Sequence, residues 1–347
     1  MNLPPLAGYW LIRTGRYSLL LPKRATAATC GLTLALLVLC AVSLASGAAG
    51  LSPWGAGLAL FGQGDALNVF LIRELRLERL LAGLLSGAAL GAAGCLLQTL
   101  ASNRLATPGV IGIDDGATAF AVASIVAIPT SLAPSGLALI GALTAAALAF
   151  GLGGSGSRGY RFIVVGIGVG AVFGALTNLM LARTDIDSAN LAYPWTVGTL
   201  SARPWLAVQS LGIGLLLALP CCLALTRALA TLRFNDQVAQ GLGIALRRVR
   251  IMILALTVLL TGLAVAVVGP VGLIALAAPE LARYLSGHRG VPLVNAALAG
   301  ALLMVCADWS GRTLLAPLEI PVGIVTAIVG GPYLLWILTR QPARSTP

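Results

Sequence analysis

The chain has 347 residues, 58% hydrophobic and only 10% charged, with a mean hydropathy of +0.96. A soluble globule carries about 25% charged residues, so that class is excluded. Repeated continuous apolar runs of roughly 20 residues indicate an all-α polytopic membrane protein, not a β-barrel, whose strands would alternate. The net charge of +11 does not point to nucleic acid, because the arginines fall in short clusters between apolar runs, as the positive-inside bias requires.

Residues 1–24 read as a tail. Arg13, Arg16, Lys23 and Arg24 beside the first span put the N-terminus on the inner side. The first span, residues 25–50, is long and lacks a small-residue cleavage site, which argues against a removable signal peptide. The second span opens with Arg73, Arg76 and Arg79 alternating with Glu74 and Glu78. By alternation this mouth faces outward, where the orientation rule disfavours arginine. Local pairing with the two glutamates accounts for them; so does a docking surface for an acidic partner. ASNRLATPGVIGIDDGATA then forms a Pro/Gly-broken inner turn. Asp114 and Asp115 are expected to cap the third span, although ionisable residues near a span are also functional candidates. That span, residues 116–128, is short and reads as partly re-entrant; the fourth covers 135–152. GLGGSGSRGYR is a basic inner loop. The fifth span covers 162–181, Arg183, Asp185 and Asp187 an outer loop, and the sixth span 204–226.

Residues 227–250, RALATLRFNDQVAQGLGIALRRVR, break the apolar pattern with five arginines against the single acid Asp236. Asn235 or Asp236 supplies an N-cap, and Gly241 or Gly243 a left-handed stop. A short capped helix outside the bilayer has no packing need of its own and points to contact with a soluble protein on the inner side; a solvated loop of interfacial arginines accounts for the same residues. The seventh span (249–268), GPVGLIALAAPELARYLSGHRG, a ninth run (292–307) and a tenth ending before Arg340 and Arg344 complete about ten spans. An even number keeps both tails, residues 1–24 and 341–347, inside, around one transmembrane domain at 25–340.

Much chemistry is absent. The one lysine, Lys23, follows Pro22, so no Walker A loop exists; the one histidine, His288, excludes a His-rich zinc site; there is no G-x-S-x-G elbow. Cys30, Cys40, Cys95, Cys221, Cys222 and Cys306 lie in apolar runs and read as small buried hydrophobes. Asp308 is the main acid inside a span, with Arg312 one helical turn on to pair with it. Movement of a solute, powered elsewhere, fits better than an enzyme. No metal or cofactor site is expected on this chain.

Four motifs in order carry a resemblance. RLERLLAGLLSGAALGAAGCLLQ is similar to an R-L-P-R segment and small-residue second span; NRLATPGVIGIDDGA resembles an N-P-L-A-x-P turn; DQVAQGLGIALRRVR resembles an A-x-x-L-G coupling helix with trailing arginines; GPVGLIALAAPELAR with ADWSGRTLLAPLEIPVGIVTAIVGGPYLLWIL resembles a closing signature. These are features of the permease subunits of bacterial ABC importers for iron–siderophore complexes, haem and cobalamin. VVGIGVGAVFGALTNLML looks most like the second permease chain of enterobactin-type systems. The resemblance implies the type II importer permease fold in the bacterial inner membrane, with a second permease subunit (identical or homologous), two ATPase subunits holding ATP and Mg, and a periplasmic substrate-binding protein. It implies a coupling role for Asn235, Asp236, Val238, Ala239, Leu242 and Gly243, binding-protein docking by Arg76, Arg79 and Arg312, and an inner gate at Asn103 and Leu105. Residues 153–159 would form the other constriction, and spans five and ten the walls of the path. Arg104, Glu78, Glu280, Gly331 and Tyr333 depart from the family pattern. The competing reading is an ion-gradient-driven secondary transporter using Asp114, Asp115 and Asp308; for a membrane scaffold nothing specific speaks.

Overall fold

A computed structural model describes residues 8–14, 17–46, 52–126, 133–153, 160–234, 236–287 and 290–340. After a two-stranded hairpin, β1 (Tyr9–Thr14) and β2 (Tyr17–Pro22), come α1 (Lys23–Ala45), α2 (Pro53–Leu60) and α3 (Ala66–Phe70). The helix α3 continues through a π-helical stretch at Leu71–Arg76 into α4 (Leu77–Ala101). A 3₁₀ turn at Pro108–Ile111 precedes α5 (Ile113–Val126), followed by α6 (Pro134–Gly153) and α7 (Tyr160–Arg183). The short α8 (Ile186–Ala192) and α9 (Pro194–Val197) lead to α10 (Trp205–Thr231), α11 (Asp236–Gly241) and α12 (Leu246–Val268). The chain closes with α13 (Gly272–Ser286), α14 (Leu293–Thr313) and α15 (Val322–Arg340).

Seven of these helices are long and apolar enough to cross a bilayer. The shorter α5, α13 and α15 bring the total to the expected ten or so. Their order is set by burial. The apolar window of the helix through α4 is 78% buried and that of α12 72%, against 11% in α1 and 22% in α10. Thus α4 and α12 form the centre, and α1, α7 and α10 present Leu and Val faces outward, which only lipid or another subunit can cover.

Close approach at the centre follows from a stripe of small residues. On α4, Gly87, Gly91 and Gly94 lie against backbone: a Cβ would come within 2.4 Å of the Gly300 carbonyl oxygen, 2.2 Å of Ala296 and 1.9 Å of Ala275. Without apolar driving force between helices in lipid, such backbone contact supplies the dispersion that holds α4 to α14 and α13.

The short third span has a geometric cause. Ser102 turns the chain at the end of α4 with φ 51°, and Gly112 (φ 79°) sets its backbone against Gly166 and Gly170 of α7. The chain has already re-entered beside the middle of α7 before α5 begins. Fourteen residues, about 21 Å of helix, then complete a crossing that would otherwise need about 30 Å.

Several expectations change. The segment 1–24 is no plain tail: β1 pairs with β2 from Tyr9↔Pro22 to Thr14↔Tyr17, and Lys23 N–H donates to the Gly8 carbonyl at 3.0 Å. Two short runs around Gly15, YWLIRT and YSLLLP, each opening on an aromatic residue, carried that signal. The first span is Lys23–Ala45, not 25–50; the sixth runs on to Thr231, and the ninth to Thr313. At the sixth and ninth spans the apolar run underestimates a helix whose last turns are polar, whereas at the first it runs past the helix end at Ala45.

Candidate functional site

Two clusters of polar side chains mark opposite ends of the bundle. One surrounds Asp308, in the last turns of α14. Its Oδ1 accepts from Arg79 Nε and Nη2, both at 2.9 Å, and its Oδ2 from Arg312 Nε at 3.1 Å. Arg79 Nη1 also reaches Glu319 Oε2 at 2.8 Å, and Arg312 Nη2 donates to Ser43 Oγ at 2.8 Å. Asp308 is 7% exposed, Arg79 18% and Arg312 13%. This is a clamp across α1, α4 and α14. Burial works against the charge on Glu319, but the hydrogen bond and charge of Arg79 and the charge of Arg312 hold its carboxyl below the usual glutamate range.

Arg76 Nη1 donates to the Leu44 carbonyl at 2.6 Å, and Arg73 Nε to the Leu60 carbonyl at 3.1 Å. Local pairing with Glu74 and Glu78 is therefore not what holds these arginines. Each reaches a neighbouring element, because the π-helical turn and the adjacent α1 and α2 offer unpaired helix-end carbonyls. The sequence suggested the Asp308–Arg312 pair but not its third member, which comes from α4. Arg203 was also missed. It is buried, donates to the Thr199 carbonyl at 3.0 Å and stacks 4.2 Å over the Trp195 ring, and burial lowers its pKa to about 10.

The second cluster lies at the far end of α4. Asn103 and Leu105 sit in one turn, where Asn103 Oδ1 accepts from the Leu105 N–H at 2.9 Å. Asn103 is exposed and Leu105 half-buried. The turn borders a cavity of about 380 Å³ lined by Gln98, Ser102, Asn103, Arg104, Arg233 and Arg283, among others. Of the loop expected to oppose it, residues 153–159, Gly153 closes α6 and the rest lies outside the described residues.

At the same end, α11 is mounted on α12. Arg250 Nη2 bonds both Asp236 oxygens, at 2.8 and 2.7 Å, across 14 residues. Asp236 thus anchors the helix, and the alternative cap, Asn235, lies outside the described residues. Gly243, not Gly241, provides the stop: at φ 80° it lets its own N–H reach the Gln240 carbonyl (2.9 Å) and that of Ile244 the Ala239 carbonyl (3.1 Å), a Schellman closure. Ala239 is fully buried, while Val238 is 50% and Leu242 64% exposed. The helix is pinned by its acid and its alanine and offers an apolar knob to whatever lies beyond.

Asp114 and Asp115 do not cap α5. They occupy its first turn, where the helix dipole favours negative charge; Gly112 takes the turn before it. Asp114 Oδ1 is buried with no hydrogen-bond partner, and Asp115 lies over Gly170. Of the three acids a gradient-driven carrier would use, Asp308 is committed to the clamp. Among the described residues no group of three or more His, Cys, Asp or Glu side chains is placed to hold a metal ion.

A bundle of about ten spans with a short helix mounted outside it and a polar turn at the same end defines a multi-pass membrane protein, and its likeness to known proteins makes it the permease of an ABC importer. Residues 35–340 match the FecCD transport family, and the chain belongs to that family. It is 35% identical over 339 residues to the achromobactin transport system permease protein of Dickeya dadantii, covering 95% of this chain and 96% of that one. It is 34% identical over 300 residues to the ferric enterobactin transport system permease protein of Escherichia coli (86% and 91%), and 38% over 283 residues to the hemin transport system permease protein of Yersinia pestis (77% and 83%). A solved structure described as an inward-facing conformation of a metal-chelate type ABC transporter superposes with a TM-score of 0.79 at 26% identity, over 91% of this chain and 100% of that one. The chain is a multi-pass inner-membrane transport permease.

Proposed function

We propose that this permease forms, with a second identical or homologous subunit, the path by which a ferric siderophore crosses the inner membrane. Relatives named for achromobactin and ferric enterobactin, both over more than four-fifths of this chain, support a siderophore; the relative named for hemin makes haem an alternative. The outward apolar faces of α7 and α15 suit the walls at the subunit interface. The motor is a separate pair of ATPase subunits that hold ATP and Mg. Both termini face the cytoplasm in this reading, with α11 on that side.

The observation that carries it is the exposed pair Val238 and Leu242 on a helix anchored by Asp236–Arg250. An apolar knob outside the spans, rigidly fixed to a core helix, is a contact for a protein partner, and movement of that partner reaches α12 directly. Arg76, Arg79 and Arg312 at the other end dock the substrate-binding protein. Asp308 and Glu319 balance Arg79 and Arg312 and fix them in a rigid frame, so the net positive charge left at this end is that of Arg76, and the contact steers association in a salt-sensitive way. Asn103 and Leu105 form the cytoplasmic gate.

Leu242→Glu tests the coupling. In the complete transporter it should cut ferric siderophore uptake at least tenfold while leaving ATP hydrolysis by the ATPase measurable. Uptake at the unaltered rate rejects the assignment of α11.

A further inference from the structure

The gate turn is joined to α13 by a relay of side chains. Arg104, between Asn103 and Leu105, places Nη1 3.1 Å from Glu280 Oε1. The other oxygen of Glu280 accepts from Arg283 Nε at 3.1 Å and Nη2 at 2.9 Å. Arg283 Nη2 also donates to Gln98 Oε1 in the last turn of α4. Gln98 Nε2 in turn donates to the Ala275 and Leu276 carbonyls, at 3.4 and 3.2 Å.

The relay has two unlike halves. Arg283 is 13% and Glu280 20% exposed, so the Gln98–Arg283–Glu280 part is a shielded frame fixing α4 on α13; Arg104 is 55% exposed and reaches that frame from solvent. An exposed ion pair biases an equilibrium only by about two- to fivefold, a size suited to a contact that must break in every cycle. The cavity of about 380 Å³ beside the turn is lined by Arg104 itself and gives its side chain space to move once it leaves Glu280. Glu280 keeps two hydrogen bonds from Arg283 when Arg104 leaves, so release does not strand a carboxylate.

We propose that Arg104 and Glu280 form a releasable latch that positions the Asn103–Leu105 turn against α13 and biases the gate toward the conformation seen here. The proposal rests on the importer reading given above, and both residues are positioning residues.

The test is a double-mutant cycle in the complete transporter, reconstituted with its ATPase and binding protein, with R104A, E280Q, R104A/E280Q and the conservative R104K. E280Q retains an acceptor for Arg283. The readouts are ATP hydrolysis without the binding protein and substrate carried per ATP. R104A and E280Q should each change the ratio of these by about two- to fivefold, the double variant no further than either single, and R104K should stay near the unaltered protein. Unaltered ratios in R104A, or effects of R104A and E280Q that multiply, would overturn the latch. Absence of ATP-driven uptake in the unaltered transporter would instead overturn the importer reading, and the latch with it.

Discussion

Asp308 is committed twice over, and its loss should be felt as a loss of folding. Removing one member of a buried ion cluster leaves the others desolvated and unpaired. Asp308→Ala takes the shared buried carboxylate from Arg79 and Arg312, both less than a fifth exposed, and leaves them only Glu319 and Ser43. The expected cost is about 3 kcal/mol, seen as a lower melting temperature of the detergent-solubilised protein. Asp308→Asn, which keeps an acceptor, should cost visibly less. The two residue-level pairings differ in how far the sequence disclosed them. Arg312 stands four residues after Asp308, and helical periodicity alone brings them together. Arg79 is 229 residues from Asp308 and Arg104 176 from Glu280; no local pattern links them. Arg104 and Glu280 each depart from the family pattern, and only the packing of α13 beside the Asn103–Leu105 turn shows that they meet.

At the scale of elements, α4 depends on having no side chain where it meets α14. Gly91→Leu would drive a branched side chain into the Ala296 carbonyl, 2.2 Å from the ideal Cβ. Overpacking of this kind costs about 1–3 kcal/mol or more, and here the neighbour is backbone that cannot rotate aside. The expected result is loss of folded permease from the membrane fraction, whereas Gly57→Leu on α2, which has open space around it, should accumulate normally. The stripe from Gly83 to Gly94 is legible as a small-residue pattern, but which helix it admits is not, since α13 and α14 both carry small residues. The short α5 was legible as a short run. Its cause, re-entry of residues 102–112 beside α7, depends on the turn at Ser102 and the contact of Gly112 with Gly166 and Gly170.

For the whole molecule, the end carrying the clamp and the end carrying α11 are connected through α4 and α12, the two most buried spans. In the proposed coupling, a push on α11 would enter α12 through Arg250 and the core through Leu260, Ala264 and Val268, all fully buried. The chain holds no nucleotide loop, so accumulation of cargo against its gradient should require the ATPase. Liposomes containing the permease subunits alone should show none with or without a proton gradient; gradient-driven accumulation without ATP would return Asp114 and Asp115 to consideration as a relay.

By itself the sequence determined the solvent in which this protein folds, the number of crossings, the motifs of its family and the existence of a polar element between the sixth and seventh spans. Those follow from composition and from spacings within single helices, which local physics governs. The tertiary structure alone decided the partners of Arg79, Arg104 and Arg203, the anchoring of α11 by Arg250, and the depth at which α5 begins. The reason is that a charge in a membrane protein takes whichever acceptor the fold brings within about 3 Å, and that neighbour is set by the packing of small residues far away in the chain.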